Sequence, residues 1–318
     1  MMIVLDENGV DKILKYAPLV DYLQECHQEP IPMIEDLVLA NDDKTGTTNI
    51  FRSRIAWENN EWLGIKCVTE FPNNSKQQNL APVVQGQFIL FDGSNGTPKI
   101  IIDSASLTRW KTACDSALAS RYLSKQDAES LLVIGAGNIA EPLVKAHLAV
   151  RPTIRRLNFW NRSIKKAEVL ATRFESPKLE CSVFENLPDA VHQAEIIVTA
   201  TKAIEPIIKG NWLAPGTHLD LVGASTETMR EVDDETVKKS HIFVDCRKTT
   251  IEKVGELALP IKSGAITKEC IRADLFQLCQ KSHPGRINPT EITLFKNGGG
   301  GHLDLMTAKY IYDKIQKV

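Results

Sequence analysis

The residues best placed to do chemistry begin where an apolar run stops. Leu131-Leu132-Val133-Ile134 leads directly into Gly135-Ala136-Gly137-Asn138-Ile139-Ala140, the spacing G-x-G-x-x-A. Each small residue has a physical task. Gly135 allows a sharp turn, Gly137 allows the backbone to approach a pyrophosphate, and Ala140 lets the following helix pack close to the strand. The unpaired N–H groups at the helix start, around Asn138 and Ile139, together with the positive end of the helix dipole, then hold anionic phosphates. The spacing is weak alone but gains weight between an expected strand and an expected helix. Pro142 suits the first turns of that helix.

The next strand, Arg156–Trp160, bears on which dinucleotide is bound. An NAD site usually ends this strand with Asp or Glu, which accepts from the ribose hydroxyls. Here it ends in Asn161-Arg162-Ser163. Asn161 and Ser163 can donate to a 2′-phosphate, and Arg162 can offer it a planar fork. NADPH is therefore favoured over NADH. Thr199 and Thr201, at the end of Ile196–Thr201, suit a backbone that runs close to the cofactor, and equally suit an ordinary strand. The seven cysteines form no C-x-x-C pair and the seven histidines no H-x-x-x-H pair, so no metal site is expected.

Two grammars of secondary structure surround these residues. Over the first hundred residues, Asn8–Leu23 has helical spacing interrupted by Pro18, which predicts a kink or two short helices. Strand-like runs follow at Leu37–Ala40, Ile50–Trp57, Trp62–Thr69, Gln85–Asp92 and Lys99–Asp103, divided by turn-forming residues. This succession predicts an antiparallel sheet. From Leu107–Leu123 onward, helices alternate with strands at Leu131–Ile134, Arg156–Trp160, Cys181–Phe184, Glu195–Ala200, His218–Val222 and His241–Val244. That rhythm predicts a doubly wound parallel sheet of Rossmann type. The fold class is α/β, with a discontinuous α+β domain beside the dinucleotide domain. Its expected boundaries are 1–115, 116–300, and a C-terminal helix, 301–318, that rejoins the first domain.

Composition narrows the partners. Lys and Arg number 38 against 40 Asp and Glu, a formal charge of −2. No basic excess is available for nucleic acid or a membrane surface. No apolar run is long enough to span a bilayer, and the first residues reach Asp6 and Glu7 too soon for a signal peptide. With an odd number of scattered cysteines, the expectation is a reduced, cytoplasmic protein with a small-molecule partner.

An ordered series of segments resembles a known family. It comprises Asp103-Ser104-Ala105-Ser106-Leu107-Thr108-Arg109-Trp110-Lys111-Thr112-Ala113, the fingerprint Ile134–Ala140, Asn161-Arg162-Ser163, Val198-Thr199-Ala200-Thr201, Val222-Gly223-Ala224-Ser225 and Glu291-Ile292-Thr293-Leu294-Phe295-Lys296. In this order they resemble the ornithine cyclodeaminase/μ-crystallin family over nearly the whole chain. The resemblance implies a substrate-binding and dimerisation domain, a Rossmann domain and a homodimer. It implies that Arg52, Lys66 and Lys111 bind the carboxylate of an amino-acid-like substrate, with Arg54 a competing register for Arg52 and Arg109 a less suitable substitute for Lys111. Independently, a carboxylate held away from water needs paired positive donors.

Ser225 bears on the reaction. Family cyclodeaminases carry an aspartate there, and a serine is no general base unless another group activates it. The resemblance is thus closest to the ketimine reductases, which reduce Δ1-pyrroline-2-carboxylate to L-proline or Δ1-piperideine-2-carboxylate to L-pipecolate. The proton would come from solvent, from Lys66 or from a water held by Ser225. The alternatives are a cyclodeaminase, another amino-acid dehydrogenase of the family, and a μ-crystallin-like NADPH-dependent binding protein. The run Gly298–Gly301 is expected to pass over the substrate or the nicotinamide. Asp304 is expected to cap the last helix, in preference to orienting His302 or Lys66.

Overall fold

Alternating apolar residues in the N-terminal third build one sheet, and continuous apolar runs in the middle build another. The computed structural model describes residues 2–58, 60–76 and 81–317, and the chain divides into two units, 1–111 with 300–318, and 112–299.

The first unit opens with β1 (Ile3–Leu5) and two helices, α1 (Glu7–Ile13) and α2 (Tyr16–Cys26). Pro18 sits in the first turn of α2, where its missing N–H costs nothing, so the chain forms two short helices and no kinked one. The strands β2 (Met33–Asp42), β3 (Thr48–Trp57), β4 (Trp62–Glu70), β5 (Val84–Asp92) and β6 (Pro98–Asp103) pair antiparallel in sequence order. One expectation needs correction. The sheet is mixed, because β1 adds to β6 in parallel. A three-residue strand is too short to show a period of two.

Helix α3 (Ser104–Leu123) carries the chain out of this unit, which ends at Lys111. The division thus falls inside a helix and before Gly300, in place of 115/116 and 300/301. A continuous helix offers no change of composition to mark it.

The second unit consists of β7 (Ser130–Ile134), α4 (Ala140–Val150), β8 (Arg156–Trp160), α5 (Ile164–Ala171), β9 (Glu180–Val183), α6 (Leu187–His192), β10 (Ile196–Thr199), β11 (His218–Leu221), α7 (Asp234–Lys239), β12 (His241–Val244), α8 (Arg247–Thr250), α9 (Gly255–Lys262), β13 (Ile271–Asp274), α10 (Leu275–Cys279) and β14 (Thr293–Lys296). Its strands lie in the order β13-β12-β14-β11-β10-β7-β8-β9, with every pair parallel. Strands covered on both faces need no polar side, which is why β7, β10, β11 and β14 are buried at every position. The order reverses between β7 and β10, the switch point at which such sheets bind ligands.

The last helix, α11 (Gly301–Gln316), belongs to the first unit and packs on β3, β4 and β5 and against α2. Leu303, Leu305, Met306, Ala308 and Ile311 of this helix are buried, as are Phe88 and Leu90 of β5. No helix of the described residues is long and apolar enough to cross a membrane. The seven cysteines are free thiols, and no metal-binding cluster occurs among the described residues.

Candidate active site: a lysine–aspartate–lysine cluster and a dinucleotide cradle

In the first unit, α11 places Asp304 over the sheet with no exposed surface. Both of its carboxylate oxygens lie 2.9 Å from Lys66 Nζ, and Oδ1 lies 3.0 Å from Lys111 Nζ. Asp304 is therefore no helix cap. The N-cap position is Gly300, which has no side chain to offer. Lys66 comes from β4 and also donates to Thr108 Oγ1 at 3.3 Å, while Lys111, from α3, donates to the Gly300 carbonyl oxygen at 3.2 Å. Lys66 is 5 % exposed and Lys111 1 %. Two buried ammonium groups share one buried carboxylate, an arrangement that excellent geometry must sustain against the loss of hydration.

Register decides which arginine stands nearest. Across the β3–β4 pair, Arg54 faces Lys66, whereas Arg52 faces Val68, two pairs further along. Both arginines are half-buried and on the same face of β3. Arg109 turns the other way and pairs with Glu7 at 2.6 Å.

The charges act on one another. Burial pulls the Lys66 ammonium down to about 7, against the attraction of Asp304 and with help from Lys111 and Arg54. Burial alone would raise the Asp304 carboxyl, but Lys111 and Lys66 outweigh it and hold it below the ordinary carboxylate range. His302, also fully buried, meets His27 edge-on at 6.1 Å between ring centres. Burial, with His27 and Lys111, keeps its imidazole neutral. Arg54, Lys66 and Lys111 all act on Asp304, and Arg54 also faces Asp36 across the β2–β3 pair.

In the second unit, Gly135 adopts φ +111°, and a Cβ there would stand 2.5 Å from the Ala200 carbonyl oxygen. Only glycine fits, and its N–H donates to the Trp160 carbonyl oxygen at 2.9 Å. Nothing lies within 4 Å of where a Cβ on Gly137 would be, so that face is open to a ligand. Gly137 and Asn138 are exposed, Ile139 is half-buried, and Ala140 is fully buried against the sheet. These residues fit a pyrophosphate at the start of α4. At the end of β8, Arg162 and Ser163 are exposed, and Asn161 donates through its amide to the Ser163 carbonyl oxygen at 2.9 Å.

Thr199 is fully buried and donates to Glu231 at 2.7 Å; Thr201 also donates to Glu231. Ser225, exposed after β11, has its hydroxyl 4.0 Å from the Met229 sulfur. Glu231 gives no signal in the sequence, since it lies in an acidic stretch that reads as surface. For Asp304 the contact with Lys66 is the second of the two readings the sequence offers, behind the helix cap.

Comparison with known proteins agrees with this architecture. The profile of the ornithine cyclodeaminase/mu-crystallin family matches residues 28–318. The chain belongs to this family. Among its relatives, a Δ1-pyrroline-2-carboxylate reductase from Paracoccus denitrificans is 41 % identical over 298 residues, covering 94 % of this chain and 92 % of the relative. A second, from Colwellia psychrerythraea, is 32 % identical and covers 99 % of each chain. Among solved structures, the Thermococcus litoralis Δ1-pyrroline-2-carboxylate reductase in complex with NADH and L-proline superposes with a TM-score of 0.90 at 28 % identity, covering 99 % of this chain and 98 % of that one.

Proposed function

We propose that the protein reduces a cyclic imino acid, Δ1-pyrroline-2-carboxylate to L-proline or Δ1-piperideine-2-carboxylate to L-pipecolate, with NADPH preferred to NADH. The observation that carries this reading is Lys66, a buried ammonium near neutrality flanked by Lys111 and Arg54. A general acid works best when it titrates near the working pH, and an imine nitrogen must be protonated to become a good electrophile. The named activity of the relatives at 41 % and 32 % identity supports the same reaction.

The residues divide the work. Arg54 and Lys111 hold the substrate carboxylate, with Arg52 further along the same face. Lys66 Nζ gives its proton to the imine nitrogen and regains one from solvent. Once Lys66 is neutral its charge sits on the imine nitrogen as an iminium, which hydride addition to the carbon then neutralises, while Lys111 balances Asp304 and Arg54 balances the substrate carboxylate. Gly135, Gly137, Asn138 and Ile139 hold the pyrophosphate of the cofactor, and Asn161, Arg162 and Ser163 hold a 2′-phosphate. Thr201 stands at the edge of the nicotinamide pocket, and Thr199, wholly enclosed, supports it from behind. The bound nicotinamide supplies the hydride, and the protein supplies orientation and charge.

Cyclodeamination is disfavoured, because Ser225 stands where a general base would be needed. The chain acts as a cytoplasmic homodimer in this reading, a state that would cover the apolar outer face of the first sheet. The test follows NADPH and NADH oxidation on addition of each imine, with ammonia release from ornithine measured in parallel. Oxidation with imine and no ammonia supports the reductase; ammonia without oxidation overturns it in favour of the lyase, and silence in both favours a binding protein.

A further inference from the structure

Glu231 lies in the segment between β11 and α7 and is fully buried. Its two carboxyl oxygens accept five hydrogen bonds. Oε1 takes the Thr201 N–H at 2.9 Å and the Thr201 hydroxyl at 2.7 Å. Oε2 takes the Thr199 hydroxyl at 2.7 Å, the Gly223 N–H at 2.8 Å and the Ala224 N–H at 3.3 Å. Five converging donors suit an ionised carboxylate, which only accepts. The backbone of Glu231 is itself fixed, since its N–H donates to Glu256 at 3.0 Å and its carbonyl oxygen receives the N–H of Ile207 at 2.9 Å.

The five donors sit at or just beyond the carboxyl ends of β10 and β11. In a doubly wound sheet the switch point lies between β7 and β10 here. One mononucleotide half binds beside β7 and β8, and the other beside β10 and the strand after it. With the fingerprint and Asn161–Ser163 on the β7–β8 side, the nicotinamide half belongs to β10 and β11. The segment Glu231 holds also abuts the phosphate turn, because Gly135 packs on the Ala200 carbonyl and the Thr201 methyl group. Gly223 is equally constrained: a Cβ there would collide with the Thr201 backbone and with the Glu231 carboxyl group. A buried charge is a costly way to tie two loops together unless the loops must keep one shape.

We infer that Glu231 is a positioning residue for the nicotinamide half of the cofactor, acting through Thr201 and the Gly223–Ser225 backbone without touching the cofactor. The inference rests on the dinucleotide reading of this unit. Glu231 would therefore leave adenosine binding alone and govern only what depends on the other half.

The test uses the full-length protein and two kinds of probe. ADP-ribose and its 2′-phosphate lack the nicotinamide, whereas NADH and NADPH carry it. In E231Q one acceptor oxygen becomes an N–H₂ donor facing donors. Loss of one or two such hydrogen bonds should weaken NAD(P)H and lower kcat, each by roughly ten-fold or more, with ADP-ribose affinity held within about two-fold. Thr199→Val removes one donor while keeping the side-chain shape, from a residue too deeply enclosed to reach the cofactor. It should show the same split more weakly, and it decides the matter if E231Q fails to fold. Equal weakening of fragment and cofactor overturns the inference, as does a lower Tm with unchanged NAD(P)H affinity and kcat. Failure of the unaltered protein to bind ADP-ribose would instead overturn the dinucleotide reading itself.

Discussion

In the proposed reading, the substrate side turns on Asp304. It neutralises one lysine's worth of charge between two, and so keeps Lys66 protonated to a higher pH than burial beside Lys111 and Arg54 would allow. The sign of a substitution follows. In D304N the attraction is lost, the Lys66 pKa falls below about 7, and the ammonium needed as acid is present only at lower pH. The descending limb of the kcat/KM–pH profile for imine reduction should move to lower pH, while a limb due to the free substrate stays in place. Stability should fall too, because removing one partner of a buried ionic cluster costs about 3–5 kcal/mol; thermal unfolding measures that part. An unmoved profile would show that Asp304 only braces the helix. The sequence offers the contact with Lys66 only as the weaker alternative to a helix cap, because Lys66 is 238 residues away along the chain.

At the scale of elements, legibility followed burial. Arg156–Trp160 and His241–Val244 are found with the bounds expected, because short apolar runs between polar neighbours leave little freedom. β13 (Ile271–Asp274) was missed, since Ile-Arg-Ala-Asp alternates too briefly to be told from a loop. The fingerprint was legible because each of its small residues answers a local steric demand, as Gly135 shows. The choice between Arg52 and Arg54 was not, because register is a property of the pair β3–β4 and not of either strand alone. In the proposed reading the loop after β8 carries the cofactor preference. With Arg162 exposed and no carboxylate at the strand end, R162A should raise KM for NADPH on the order of ten-fold and leave KM for NADH nearly unchanged. Equal effects on both would remove the preference.

At the scale of the whole molecule, one face of the first sheet packs against α11, and the outer face is the one opposite. On that outer face Met33, Leu37 and Leu39 of β2 are 61 %, 50 % and 57 % exposed, with Phe51 and Trp57 of β3 beside them at 36 % and 38 %. β2 is also an edge strand. A contiguous apolar patch at a sheet edge invites a self-complementary partner, and a second copy related by a twofold axis satisfies that requirement. The double substitution Leu37→Asp, Leu39→Glu should shift the protein from dimer to monomer in analytical ultracentrifugation without unfolding it. A monomeric unaltered protein would contradict the homodimer.

The central claim is imine reduction dependent on Lys66. Its most direct measurement is NADPH oxidation with Δ1-pyrroline-2-carboxylate for the unaltered protein and K66A, with L-proline identified as product and NADPH affinity measured separately. The expected result is stoichiometric L-proline from the unaltered protein. K66A should lose turnover by about 10²-fold or more, the ordinary contribution of a positioned acid, while still binding NADPH. Full turnover by K66A, or no proline from the unaltered protein, would contradict the claim.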